Sequence, residues 1–151
     1  MTMEMDERDR EMLAILQDGL PLTSRPFQVV ADLLDWSEEE VLERLDALVT
    51  SGHVRKVGAV INSKSIGAVS TLAAVDVPED RIDETASIIN AYPGVTHNYL
   101  REGHPNIWFT LTERGPELLE ANLTRIETDI GANIIRMPAT RMFKIGVKYD
   151  L

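Results

Sequence analysis

Val95, His97, Tyr99 and Arg101 alternate along Val95-Thr-His-Asn-Tyr-Leu-Arg101, and in an extended chain a period of two puts these side chains on one face. One of them is an imidazole, one is an aromatic ring and one is a permanently charged fork, a combination suited to holding a carboxylate and moving a proton. The next segment, Asn106-Ile-Trp-Phe-Thr-Leu111, repeats the alternation: Ile107, Phe109 and Leu111 read as core, and Trp108 faces the other way. Sharing the face of His97, Trp108 would complete an aromatic platform carrying one acid-base group and one cation. Further cations follow at Arg136, Arg141, Lys144 and Lys148, and seven of the nine basic residues after position 57 lie at Arg101 or beyond. Local positive charge of this kind fits a small polyanionic ligand better than a polymer. His104 stands in the loop Glu102-Gly-His-Pro105, which suits a mobile site residue or an exposed bystander.

The same side chains have plainer uses. His97 can be a hydrogen-bonded structural histidine, Tyr99 and Trp108 can belong to a core or a dimer interface, and Arg141 and Lys144 can be edge-strand charges. His53 falls at the end of a helical stretch, where it complements the dipole. Three histidines at unsuitable spacing and no cysteine make no metal-ligand set. There is no glycine-rich phosphate loop, no Gly-x-Ser-x-Gly elbow and no paired-histidine helix motif.

The elements that must position these residues alternate strand and helix. Val69 to Val77 alternates as a strand and stops at Pro78; Ile82, Ala86 and Ile89 have helical spacing up to Pro93-Gly94. Two strands follow, over 95–101 and 106–112, then a helix from Pro116 with Leu118, Leu119, Leu123, Ile126 and Ile130 on one face. A strand over 133–137 ends at Pro138, and 141–149 reads as extended again. This order is the ferredoxin-like βαββαβ pattern, an antiparallel sheet with both helices on one face and the other face open to a ligand or a second subunit.

The N-terminal part reads as three short helices. Met12, Leu13, Leu16 and Leu20 form the first stripe, and Phe27, Val30, Ala31 and Leu34 the second, with Thr23 and Ser24 as candidate caps and Pro26 in the first turn. Ser37 and Glu40 form a capping box opening a third helix, whose expected buried face is Val41, Leu42, Leu45, Leu48 and Val49, with Gly52 as its stop. Strands over 53–57 and 59–62 would make a wing. Three helices and a wing are the layout of a winged helix-turn-helix, a DNA reader. Its charge argues otherwise: residues 1–57 hold thirteen Asp and Glu against six Lys and Arg, a balance of −7. The helix meant for the major groove carries Glu38, Glu39, Glu40, Glu43 and Asp46 against Arg44 alone, a poor partner for phosphate.

The whole chain, at 151 residues, is long enough for one or two small domains, expected at 1–62 (winged helix-turn-helix) and 63–151 (ferredoxin-like, for ligand and dimerisation). With 44% hydrophobic and 26% charged residues it is an ordinary globular α+β composition. The net charge of −10 weighs against nucleic acid as partner. No apolar run approaches the roughly 18 residues of a membrane span, and the N-terminus is too polar for a signal peptide, so no membrane partner and a cytoplasmic location are expected.

This layout resembles the Lrp/AsnC transcription regulators, and particular segments resemble an enzymatic branch of them, the sirohaem decarboxylases of the alternative haem and haem d1 routes. The segments are Gln17-Asp-Gly-Leu-Pro-Leu-Thr-Ser-Arg-Pro-Phe27, Glu38-Glu-Glu-Val-Leu-Glu-Arg44, Gly94-Val-Thr-His-Asn-Tyr-Leu-Arg-Glu102, Asn106-Ile-Trp-Phe-Thr-Leu111 and Pro138-Ala-Thr-Arg-Met-Phe-Lys-Ile145, which together span nearly the whole chain. The most specific is Thr-His-Asn-Tyr-Leu-Arg-Glu followed at fixed distance by Asn-Ile-Trp-Phe-Thr. Related sequences place a histidine directly after the Arg-Glu pair; here Gly103 holds that position and His104 comes next.

The resemblance implies loss of carbon dioxide from the acetate side chains on rings C and D of sirohaem, giving didecarboxysirohaem, by one subunit of a heterodimer of related chains or by a homodimer. It implies no cofactor, the iron entering only with the substrate. It also implies roles: His97 as proton donor; Arg101, Arg136, Arg141 and Lys144 holding carboxylates; Tyr99 and Trp108 packing on the macrocycle; His104 at the substrate. The alternative is an Lrp/AsnC-type DNA-binding regulator that binds a small effector without transforming it.

Overall fold

Reciprocal capping opens the first helix. In the computed structural model, which describes residues 4–144, 146 and 148–151, the Asp6 carboxylate accepts from the Asp9 N–H and the Asp9 carboxylate accepts from the Asp6 N–H at the start of α1 (Glu7–Leu16). The box expected at Ser37 is half formed: at α3 (Glu38–Thr50) the Ser37 hydroxyl accepts from the Glu40 N–H, while Glu40 turns its carboxylate to arginines. Between them α2 (Pro26–Leu34) begins on its proline, with Arg25 and not Thr23 or Ser24 at the cap, and ends on Asp35 in the left-handed region at φ 57°.

Met12, Val30, Ala31, Val41, Leu45 and Leu48 close the core of this unit. The buried stripe of α3 is narrower than expected, with Leu42 44% and Val49 38% exposed, because two neighbouring helices cover only one side of it. The wing is absent. Residues 53–62 form no strand, and Val57, Val60 and Ile61 are exposed. Two short strands with no apolar face to bury against a third element have little to hold them together.

The second unit is built as β1 (Val69–Val75), α4 (Ile82–Asn90), β2 (Val95–Leu100), β3 (Ile107–Glu113), α5 (Pro116–Ile130) and β4 (Ile134–Met137). The sheet order is β2-β3-β1-β4, antiparallel throughout, which is the ferredoxin-like arrangement the pattern predicts. Ala73 and Val75 of β1 and Ile107, Phe109 and Leu111 of β3 point inward against Ile89 of α4 and Leu119, Leu123, Ile126 and Ile130 of α5. Leu118, expected on that face, is 44% exposed.

The described residues beyond Pro138 form no strand, and Ile145 and Val147 of the expected closing segment lie outside the described residues. Proline there lacks the N–H that would continue the ladder. Contacts divide the chain into one unit running to Ala59 together with Lys144–Leu151, and another of Val60–Phe143. The tail, expected in the C-terminal domain, thus groups with the helices: Tyr149 N–H donates to Gln17 Oε1 at 2.6 Å, and Lys148 pairs with Asp18. Among the described residues no helix is long and apolar enough to cross a membrane.

Candidate functional site

Helices cover one face of the sheet, and the register gives the other to Ser70, Leu72 and Ala74 of β1, Trp108, Thr110 and Thr112 of β3, and Ile135 and Met137 of β4. Tyr99 of β2 lies opposite Trp108, and His97 opposite Thr110. The alternation expected from Val95 to Arg101 breaks once. Val95 pairs with Leu111 and packs on the core, and an irregularity between Val95 and His97 turns His97 to the open side. Val95 therefore leaves the set of four. The backbones are tight here: Thr112 N–H donates to Gly94 O at 2.8 Å, and a Cβ at Gly94 would stand 2.6 Å from Thr112 O, so only glycine fits.

The bulge brings two hydroxyls to one imidazole. His97 Nδ1 lies 3.1 Å from Thr96 Oγ1 and 3.3 Å from Thr110 Oγ1, and the two oxygens are 2.7 Å apart. The His97 ring stacks on Tyr99, centroids 6.1 Å apart. Beyond the end of β2 the Arg101 guanidinium lies 5.0 Å from the ring centroid of Trp108, whose indole N–H donates to Pro105 O at 2.8 Å. Arg101 makes no ion pair among the described residues. His97, Tyr99, Arg101 and Trp108 are thus brought together, on a floor continued by the half-exposed Leu72 and Ile135. From His97 to Arg101 the strand spans roughly 13 Å at 3.3 Å per residue, room for a large planar acid.

Other expected residues fall elsewhere. Arg136 pairs with Ala73 on the helix-covered side, and its guanidinium bonds Glu127 at 2.9 and 3.0 Å and Glu120 at 3.0 Å. The Arg136 bond holds the Glu127 carboxyl below the usual carboxylate range, aided by the Ile134 N–H, and Glu127 in turn raises Arg136. A guanidinium so engaged is not a clamp for an outside carboxylate. Arg141 lies over Phe143, 4.8 Å from the ring centroid, with no hydrogen bond or ion pair to the His97 group among the described residues. Lys144 groups with the N-terminal unit. His104 Nδ1 is 2.7 Å from Asp76 Oδ1, with the imidazole 80% exposed.

Asn106 has a structural role that alternation alone, which puts it on the side of Trp108, does not announce. Its buried amide accepts from Val77 N–H and donates to Val77 O at 2.8 Å, tying the β2–β3 hairpin to the end of β1, and its own carbonyl accepts from Arg101 N–H. An asparagine flanking a proline at a strand start was the only available signal.

The third helix offers a different surface. Arg44, its one basic residue, bonds Asp6, Asp9 and Glu40, and these bonds, Asp6 first, raise its already high pKa. Asp6 is lowered by the Asp9 N–H and by Arg44. Arg8 pairs with Glu40, and Arg25 with Glu38. Surface depressions occur along α3, at Glu39, Glu40, Glu43 and Ala47, and at the end of α5, at Thr128, Gly131 and Asn133. Neither lies on the open sheet face.

A family model described as an AsnC-like ligand binding domain matches residues 65–144, and one described as a siroheme decarboxylase NirDL-like HTH domain matches residues 9–55. The chain is 44% identical to the siroheme decarboxylase alpha subunit of Desulfovibrio desulfuricans, over 98% of this chain and 86% of that one. It is 43% identical to the siroheme decarboxylase NirDL subunit of Paracoccus pantotrophus, over 99% of this chain and 46% of that one. It is also similar to the crystal structure of the siroheme decarboxylase NirDL in co-complex with an iron-uroporphyrin III analogue, with TM-score 0.74, 30% identity and coverage of 96% of this chain and 48% of that one. The chain spans about half the length of these NirDL proteins.

Proposed function

This chain belongs to the sirohaem decarboxylase family, and from that premise we propose that it is a sirohaem decarboxylase subunit, removing carbon dioxide from two acetate side chains of sirohaem to give didecarboxysirohaem. The observation that carries the reading is the similarity over nearly the full chain to a curated subunit of that activity. The open sheet face supplies the parts the chemistry needs.

An acetate carboxylate leaves as neutral carbon dioxide when its bonding pair can stay behind on a carbon conjugated with the macrocycle. A proton must then reach that carbon. His97, exposed on the open face, is the proposed donor, since an imidazole exchanges protons near neutral pH. Arg101 is the proposed clamp for a second carboxylate, fixing the macrocycle so that the reacting acetate meets His97. Tyr99, Trp108, Leu72 and Ile135 are the proposed apolar bed, excluding water from the departing carboxylate. His104 and Arg141 remain candidates for the substrate's outer carboxylates. No cofactor is invoked, because the electron sink is the substrate's own ring system.

A sheet face left uncovered by helices also supports a paired assembly, and relatives named as subunits accord with a chain that works beside another. The proposed partner is a paralogous subunit or a second copy. The regulator reading has less behind it, because the single basic residue of α3 is already bound to three carboxylates.

The test is anaerobic incubation of the purified chain, alone and with its paralogue, with sirohaem, followed by mass analysis of the tetrapyrrole. Loss of two carbon dioxide units is expected. Unchanged sirohaem in both arms, with duplex DNA bound at moderate salt, contradicts the proposal.

A further inference from the structure

We propose that Thr96 and Thr110 are positioning residues for His97, fixing its Nδ1 so that Nε2 is the nitrogen that delivers the proton; this rests on the reading of His97 as donor. In a regular strand, residues 96 and 97 would point to opposite faces, and no side chain of β3 could touch both. Here both touch Thr110: its oxygen is 2.7 Å from Thr96 Oγ1 and 3.3 Å from His97 Nδ1. The register irregularity between Val95 and His97 is what brings Thr96 round, and bulges recur where a side chain has to be re-aimed.

The distances also accommodate a proton on Nδ1. Nδ1 stands at nearly equal separations, 3.1 and 3.3 Å, from two oxygens that are bonded to each other. One hydroxyl hydrogen is used between the threonines, and a bare Nδ1 lone pair would engage only one of the two oxygens, through the remaining hydrogen. An Nδ1–H, in contrast, can be shared between two acceptors as a three-centre bond. In the proposed arrangement Nδ1 carries a hydrogen both in the imidazolium and in the neutral ring left after reaction.

The step balances on that basis. The bond from the acetate methylene to its carboxylate breaks, the pair remains on the methylene carbon, and carbon dioxide departs. The Nε2 proton then joins that carbon to make a methyl group. The neutral histidine is left as the Nδ1–H form, the one the hydroxyl pair accepts from, so the threonines favour the state His97 must reach.

The experiment uses the assembled enzyme with T110V, T96V, the double variant, T110S and H97A. In the double variant kcat is expected to fall about tenfold with KM nearly unchanged, since only orientation is lost, and T110S should restore most of the T110V loss. Nitrogen-15 NMR of neutral His97 should report Nδ1–H in the native enzyme and a shift toward Nε2–H in the double variant, a readout that a merely structural threonine would not move. In the H97A background the threonine changes should cost nothing further. Native kcat and an unmoved tautomer in the double variant, with H97A inactive, overturn the positioning role alone. Native turnover by H97A removes the donor reading and this proposal with it.

Discussion

Arg44 and Arg101 carry the same guanidinium in opposite circumstances. Arg44 sits on the helix that a DNA reader would use, and three carboxylates of its own unit surround it. Arg101 sits just beyond the end of a sheet strand and, among the described residues, spends its charge only on the face of Trp108, a contact that leaves its N–H fork available. The net charge of −10 says that anions are unwelcome on average, but recognition depends on which cations are still uncommitted. In the N-terminal unit acidic side chains engage Arg8, Arg25 and Arg44 on and beside α3 and leave a phosphate-repelling helix. In the C-terminal unit a guanidinium and an imidazole stay on an apolar floor, where a multiply charged acid can reach them.

The contrast breaks most visibly at His97. H97A is expected to lower sirohaem turnover by roughly 10²-fold or more while leaving tetrapyrrole binding largely intact, as read by product mass and by the visible spectrum. Next come two arginines of one domain. R101M should weaken sirohaem binding about tenfold or more, the scale of a lost charge-assisted hydrogen bond, whereas R136M should leave the affinity of the folded protein unchanged and lower its melting temperature. Equal losses of affinity would erase the distinction between committed and uncommitted cations.

In the N-terminal unit, R44M should cost about 1–3 kcal/mol in denaturant unfolding, because the buried Asp9 carboxylate loses its cationic partner and keeps only the Asp6 N–H, with no gain or loss of duplex binding. The smallest effect concerns acid. The Glu127 carboxyl is depressed in the folded protein, so its contribution to stability is complete above the ordinary value of 4.5 and is lost as pH falls through its lower folded value. E127Q should therefore flatten the fall in melting temperature on acidification below about pH 4.5 and leave the neutral range parallel to native.

Much of this was legible beforehand because the periodicities are local. Alternation in β1 and β3, helical spacing in α4 and α5, and the prolines that end them predict a ferredoxin-like sheet with one free face and Trp108 on it, as the register has it. What misled were features decided by a distant partner. The wing had adequate strand residues but nothing to pack on. Val95 and His97 fit one face by counting, yet a bulge separates them. Arg136 looked like any late cation until β4 paired it beside α5 and its glutamates. Thr96 and Thr110, two ordinary strand threonines, gained significance only once their strands were in register.

Where an iron tetrapyrrole settles on the chain is the most direct measurement. Iron-uroporphyrin III, titrated into isotope-labelled protein, broadens nearby NMR signals through its paramagnetic iron. The account predicts selective loss of the Trp108 indole N–H, the His97 ring and the Thr110 methyl, with Asn98, α4 and α5 retained. Broadening centred on α3 or on the helix-covered side of the sheet, with the Trp108 signal intact, would contradict it.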